Sequence, residues 1–210
     1  MSFSRQEEFL TKGRGRQKQR TRQALLDAAT ELAKNGRSPS IAEVAEAANM
    51  STATAYRYFP NTQSLWADLG IRAVGLEHLV ADLPEDAEER IETVIRRATS
   101  TQFGNEAMWR EVLRATQERW FSQQSVPEAE RVPVRGSTRL EATRIALAPL
   151  EKTLSADKLE QLTMATMLVF GLEAMVVTRD ALSLDEPSAA DVMTWAAKAL
   201  IRSAIAEATS

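Results

Sequence analysis

The residues with the clearest chemistry lie in the segment SIAEVAEAANMSTATAYRYF, residues 40–59. Apolar residues at helical spacing predict a short first helix that Ser40 begins with a capping box, and a break at Asn49 predicts a turn. Ser51 then caps a second short helix, which Pro60 ends. This is the spacing of a helix-turn-helix unit, whose second helix enters the major groove of DNA. The segment therefore predicts binding to double-stranded DNA.

The second short helix carries the groups expected to touch DNA. Ala55 and Phe59 are four residues apart and are predicted to face the first helices. The other side is left to small residues, hydroxyl groups that suit phosphate oxygens, and Arg57, which can pair with guanine. The expected contacts from this unit are Ser40, Ser51, Thr52, Ala53, Thr54, Tyr56, Arg57 and Tyr58.

A basic run precedes the unit. In KGRGRQKQRTR, residues 12–22, a Lys or Arg recurs at every second position. A helix would scatter these charges around its circumference, whereas an extended arm can follow phosphates or enter the minor groove. Because Gly13 and Gly15 favour flexibility, we expect a flexible basic arm over residues 1–17, with Arg14, Arg16 and the adjoining Lys18 on DNA. A solvated tail with no binding role is the alternative.

Composition supports two units and argues against an enzyme. The net charge is −3, but residues 1–66 carry 10 Lys or Arg and 6 Asp or Glu, so the front is +4 and the remainder −7. With no Cys and one His, the chain lacks thiol nucleophiles and His-rich metal spacing, and it has neither a nucleophile elbow nor a phosphate loop. We expect no enzymatic activity, no metal and no cofactor. The first thirty residues contain no apolar run that could serve as a signal or a span, so we expect a cytoplasmic, nucleoid-associated protein without a membrane partner.

The remaining pattern is helical throughout. A 3.6-residue periodicity predicts an all-α protein of about nine helices. A helix-turn-helix domain is expected over 18–66 and a second helical domain over 67–210. The predicted helices cover about 18–34, 40–48, 52–59, 62–83, 85–102, 105–123, 137–152, 156–180 and 188–208. The apolar stretch 164–177 is too short to span a bilayer, and we expect protein to cover it on all sides.

The front of the chain resembles the TetR family of transcriptional regulators. The resemblance covers about residues 21–69 and rests on the IAEVAEAA helix, Ser51, Thr54, the Tyr56-x-Tyr58-Phe59 cluster, and the entry through Pro60-Asn61 and Leu65. Two positions depart from the family pattern. Asn49 replaces a turn glycine, which is mild because Asn tolerates the left-handed conformation. Thr62 stands where a Lys is usual, so a phosphate contact is lost and we expect the basic arm to contribute more.

The resemblance implies that the rear helices bind a small effector and form a homodimer. Candidate pocket residues are His78, Phe103, Trp109, Arg110, Trp120, Met167 and Phe170. For the apolar residues, the alternative is plain core packing. For His78 it is a position on the surface, and for Arg110 it is an ion pair within its own helix. Candidate interface residues are Met175, Val192, Trp195 and Ala199.

The expected function is a homodimeric repressor that a largely apolar small molecule releases from a pseudo-palindromic DNA operator. An alternative is a DNA-bound structural or partner-recruiting protein without an effector, which a solid core without a cavity would favour. A third is an enzyme or carrier that has lost DNA binding.

Overall fold

The computed structural model describes residues 3–33, 39–72, 75–131 and 134–209. Within these ranges every regular element is helical and no strand occurs. The prediction of an all-α protein is confirmed.

Up to residue 72, the described residues form four helices: α1 (Phe3–Ala33), α2 (Ile41–Ala47), α3 (Thr52–Tyr58) and α4 (Thr62–Arg72). The predicted start of the first helix at Lys18 is wrong, and so is the extended backbone predicted for the arm, because α1 is continuous from Phe3. Gln, Glu, Lys and Arg are good helix formers and fill most of this stretch, whereas Gly13 and Gly15 cost only about 1 kcal/mol each relative to Ala. The predicted end of the first helix at Lys34 lies outside the described residues.

Local hydrogen bonds fix α2 and α3 where the sequence predicts them. The Ser40 amide donates to the Glu43 carboxylate at 2.8 Å, and the Glu43 amide donates to the Ser40 hydroxyl at 3.2 Å, which completes the capping box. The Ser51 hydroxyl accepts the Thr54 amide at 3.2 Å. Between the helices, Asn49 has φ of 53°, so Asn49 does adopt the left-handed conformation. The turn therefore forms without glycine.

The described part of the rear contains seven further α-helices: α5 (Leu76–Val80), α6 (Ala87–Gly104), α7 (Glu106–Ser122), α8 (Thr138–Leu147), α9 (Ala156–Val169), α10 (Leu172–Val176) and α11 (Glu186–Ala208). Short 3₁₀ turns occupy Glu128–Glu130 and Ala148–Lys152, and a π-helical turn, Val177–Ala181, follows α10. The fourth predicted helix is divided into α4 and α5, with Gly75 in extended conformation at the start of α5.

A second division separates α9 from α10, where one continuous helix was expected. Gly171 has φ of 110°, a conformation that L side chains rarely adopt, and a Cβ atom there would overlap the Arg139 guanidinium. Arg139 Nη1 donates to the Phe170 carbonyl at 2.9 Å. Helix α9 therefore ends where the Arg139 side chain of α8 packs against the backbone.

Among the residues whose burial is described, the buried apolar side chains form two clusters. The front core joins α1, α2, α3 and α4 to α7 and α10, and its members include Leu25, Phe59, Trp66, Trp109 and Met175. The rear core joins α5, α6, α8, α9 and α11 through residues such as Ile91, Leu147, Phe170 and Ile201. The helix-turn-helix unit is thus packed into the same core as α7 and α10, although the predicted domain boundary falls between them.

Ion pairs connect α6 with α11 along the outside of the rear core. Arg202 pairs with Glu88 at 2.7 Å, Lys198 with Glu92 at 2.5 Å, and Arg96 with Asp191 at 2.8 Å. The hydrogen bonds from Lys198 and then Arg96 lower the pKa of Glu92, because they stabilise its ionised form.

Within the chain, the apolar stretch 164–177 is only partly covered, so other parts of the same subunit do not surround it as expected. Met164, Leu168 and Val177 are exposed, Leu168 by 84%. By length and composition alone, Ala156–Ala181 could cross a membrane, but the core helix of a soluble protein passes the same test, and 44% of the apolar window is buried. Met164 and Leu168 lie on α9, before the break at Gly171, and Val177 directly follows α10.

Candidate functional site

The outer face of α3 carries small and polar side chains. Ser51, Thr52, Ala53, Tyr56 and Arg57 are exposed, and Thr54 and Tyr58 are half-buried. Ala55 and Phe59 are each 1% exposed and belong to the front core, as the sequence predicts. The face left open is therefore the one expected to meet DNA.

Two predicted DNA contacts also hold the helix starts in place. Besides completing the capping box of α2, the Ser40 hydroxyl donates to the Glu43 carboxylate at 2.9 Å. The Ser51 hydroxyl lies 2.8 Å from the Thr54 hydroxyl in addition to accepting the Thr54 amide. Both serines are exposed, so the same oxygen atoms can face a phosphate.

Arg57 is the basic residue in the last turn of α3, and its guanidinium carbon lies 5.7 Å from the centre of the Tyr58 ring. Stacking on an aromatic ring restricts a long side chain while leaving its N–H groups free to donate in the ring plane. Arg57 is thus held at the end of the exposed face, close to Tyr56.

The basic residues of α1 have different positions. Lys18 and Arg20 are exposed. Arg22 forms an ion pair with Asp68 of α4, and its guanidinium carbon lies 5.5 Å from the centre of the Phe59 ring. It ties α1 to α3 and α4. Arg14 and Arg16 lie within α1 at positions whose side chains the structure does not describe.

A cavity of about 300 Å³ lies between the two cores. Trp109 and Leu172 of the front core and Leu79 and Phe170 of the rear core contribute to its wall, together with Met167. Three of the candidate pocket residues, Trp109, Met167 and Phe170, therefore meet in one place.

The other four candidate pocket residues lie outside this wall. His78 is exposed on α5, and Trp120 is exposed in an edge-to-face contact with Phe121. Phe103 packs between the two cores. Arg110 pairs with Glu106 at 2.7 Å, which is the alternative expected for it within α7, and with Asp180 at 2.5 Å. The hydrogen bonds that Arg110 donates to Asp180 and, second, to Glu106 raise the pKa of Arg110 above its ordinary value.

The polar groups of the cavity wall were not among the candidate pocket residues. Arg135, Arg139, Glu173 and Gln102 all contribute to it. Glu173 pairs with Arg135 and, at 3.3 Å, with Arg139. Burial of Glu173 opposes its ionisation, but the positive charges of the two arginines outweigh this effect and lower its pKa. No local motif marks these residues, since Arg135 stands in a loop and the other three lie on separate helices.

An apolar surface runs along α9 and α11. The two helices lie side by side, because Leu162 and Ala165 line a shared groove with Leu200 and Ala204. Exposed residues on this surface are Met164, Leu168, Val192, Trp195 and Ala199, with Trp195 exposed by 72%. We call these five residues the outer apolar face. Three of the candidate interface residues belong to it, whereas Met175 is fully buried in the front core and its assignment to an interface is wrong.

Together, the exposed α3 helix and the packed helix pair beneath it define a helix-turn-helix DNA-binding domain. Residues 25–69 match the model of the family described as bacterial regulatory proteins, tetR family. No curated protein sequence matches the chain.

Two solved structures share the fold. A TetR transcriptional regulator from Rhodococcus sp. RHA1 is 23% identical, with a TM-score of 0.59 over 88% of this chain and 97% of that one. A tetR-family transcriptional regulator from Streptomyces coelicolor is 21% identical, with a TM-score of 0.59 over 90% of this chain and 83% of that one. Residues 25–69 therefore resemble the helix-turn-helix domain of the tetR family, and the chain as a whole shares its fold with these two regulators.

Proposed function

We propose that the protein is a homodimeric repressor that a small-molecule effector releases from a pseudo-palindromic operator. The observation that carries the proposal is the exposed polar face of α3 above a helix-turn-helix core. In a dimer, the two α3 helices would enter successive major grooves about 34–36 Å apart. As a DNA-bound regulator it would act in the cytoplasm, at the nucleoid.

The polar side chains on the DNA-binding side are proposed to contact base edges or phosphates. Arg57 reads a base edge, while Tyr56 and the hydroxyls of Ser51 and Thr52 bind phosphates or the edges of bases. The small side chain of Ala53 allows the helix to approach closely. Lys18, Arg14, Arg16 and the hydroxyls of Ser40, Thr54 and Tyr58 contribute to the backbone contacts.

The outer apolar face supports the homodimer. Monomeric soluble proteins rarely expose a contiguous patch of large apolar side chains, and such patches mark interaction surfaces. Two copies that pack this face together would bury four helices against one another, the arrangement of a four-helix bundle. A twofold axis through the bundle would also relate the two α3 helices, as a pseudo-palindrome requires.

The cavity supports release by an effector over permanent DNA binding. Trp109 and Leu172 line the cavity and belong to the front core that also holds Phe59 beneath α3. A ligand that prefers one arrangement of these residues would shift the orientation of α3, to the extent of its differential affinity for the two states. A DNA-bound protein without an effector has no comparable use for the cavity.

Selection of binding sites from a random DNA pool tests DNA recognition, at about 0.15 M salt so that nonspecific phosphate attraction is screened. We expect enrichment of a palindrome whose half-sites lie one helical turn apart. Arg57→Ala should weaken binding to the selected site, whereas Arg144→Ala, which removes an exposed arginine on α8, should not. Binding without enrichment, or equal binding by the Arg57→Ala variant, would count against the proposed recognition helix.

A further inference from the structure

We propose that the effector is an apolar carboxylate that also carries a hydrogen-bond donor, a class that matches the charge and the polar groups of the cavity. This inference rests on the proposed function, since it names the ligand of the same cavity. Three features of the wall carry it.

The first feature is an apolar body of limited size. Trp109, Val112, Phe170 and Leu172 line the space of about 300 Å³, which is the small end of the range for ligand pockets. A ligand that fills it must place most of its surface against these side chains. The hydrophobic effect then provides most of its affinity.

The second feature is an excess of positive charge. Among the described residues of the wall, Arg135 and Arg139 are the cations and Glu173 is the sole anion, so the wall carries a net charge of +1. Both arginines share that single carboxylate. A guanidinium group donates up to five hydrogen bonds and commonly binds a carboxylate through two of them, so the pair has donors left over for a second carboxylate. A ligand anion would bring the wall to neutrality.

The third feature is a buried acceptor. Gln102 is 7% exposed and lines the cavity, and its Oε1 atom has no hydrogen-bond partner among the described residues. A buried acceptor left unpaired costs free energy, so such a group in a folded protein calls for an explanation. The atom is covered by its surroundings, so a hydroxyl or N–H group on the ligand would satisfy it once the Gln102 amide turns toward the cavity. Gln102 thus favours a ligand that has a donor away from its carboxylate.

Three probes with the same ten-carbon chain separate these contributions. 10-Hydroxydecanoate offers both polar groups, decanoate lacks the hydroxyl, and 1,10-decanediol lacks the carboxylate. Isothermal titration calorimetry of the DNA-free protein gives each Kd. We expect 10-hydroxydecanoate to bind about fivefold more tightly than decanoate and about tenfold more tightly than the diol.

Substitutions connect these differences to the named residues. Arg135→Met should weaken both acids about tenfold and leave the diol unchanged. Glu173→Gln should tighten both acids, because it removes the competing carboxylate. Gln102→Leu should remove the advantage of the hydroxyl acid over decanoate. Arg144→Met, which removes an exposed arginine of α8 that pairs with Glu160 outside the cavity, is the matched control and should change none of the three.

The probe series on the unaltered chain decides the proposal even where a variant fails to fold. Equal affinity for all three probes, tighter binding of the diol, or binding of none of them would overturn it. Release from DNA is measured separately, by fluorescence anisotropy of a labelled selected site. If the acids bind in the predicted order but do not release DNA, the ligand class stands and the proposed release mechanism fails.

Discussion

Trp195→Ala provides a strong test of the proposed dimer. Trp195 is 72% exposed at the centre of the outer apolar face, between Val192 and Ala199 on α11. Because the side chain contributes little to the core, its removal should leave the fold of each subunit intact. In a dimer packed through this face, the same side chain becomes buried.

The size of the effect follows from the exposed area. A tryptophan side chain buries about 150–250 Å², so a side chain that is 72% exposed leaves about 110–180 Å² for the interface. At about 25 cal/mol per Å², full burial is worth about 3–4.5 kcal/mol per subunit. The twofold axis doubles this value, and imperfect packing and lost side-chain freedom reduce it. We therefore expect about 3–4 kcal/mol of weakened association, or a dimer Kd that rises by two to three orders of magnitude.

Sedimentation velocity over a range of protein concentrations measures the change. Trp120→Ala is the matched control, because Trp120 is also exposed but lies on α7, away from the outer apolar face. Circular dichroism verifies that both variants remain helical. A Trp195→Ala variant that keeps the parental dimer Kd would refute the assignment of this face, and equal weakening by Trp120→Ala would show that the effect is not specific to it.

Three further predictions follow from the described contacts and the sequence. Asn49→Gly should retain or slightly raise the thermal midpoint, whereas Asn49→Ala should lose about 1 kcal/mol, because Asn49 has positive φ; equal midpoints would contradict this reading. Glu92→Gln should destabilise the protein near neutral pH and have less effect in acid. The lowered pKa of Glu92 means that its stabilising contribution is complete above its ordinary value of 4.5 and is lost as the pH falls through the lower folded value. Urea unfolding at about pH 7 and pH 3 tests this. If the difference in unfolding free energy between the unaltered protein and Glu92→Gln were the same at both pH values, that result would argue against a role for the charge. Deletion of residues 1–17 should lower affinity for all DNA sequences and flatten the salt dependence, and an unchanged slope would rule out a role in binding.

Local signals were enough to predict the helix-turn-helix unit. The capping box at Ser40, the cap at Ser51 and the stop at Pro60 act over three or four residues, so the sequence displays them directly. The buried positions of Ala55 and Phe59 follow from helical periodicity alone.

Tertiary contacts determine what the sequence did not reveal. The break at Gly171 depends on Arg139, which lies 31 positions before Phe170 and donates to its carbonyl. Periodicity could not detect it, because the flanking residues are apolar on both sides. Met175 was assigned to an interface because the resemblance implies that the rear helices form a homodimer, whereas packing against α7 buries it in the front core.

The cavity shows a similar limit. Trp109 and Phe170 were found because large apolar residues suit a pocket, but Arg135 had no periodic neighbours to mark it. His78 and Trp120 are residue types that are common in binding sites, but neither of them lines the cavity. Residue type alone does not determine which groups converge on one space.

In the proposed regulator, the break at Gly171 would link two equilibria that are usually measured apart, dimerisation and effector binding. Leu168 lies on the outer apolar face, Phe170 in the cavity wall and Leu172 in the front core. A segment of five residues therefore joins the proposed interface, the cavity and the core beneath α3. Thermodynamic linkage is reciprocal, so an effector that alters dimer affinity by some factor must have its own affinity altered by the same factor on dimerisation. Effector affinities measured at protein concentrations above and below the dimer Kd would then differ, and their ratio would measure the coupling through this short joint.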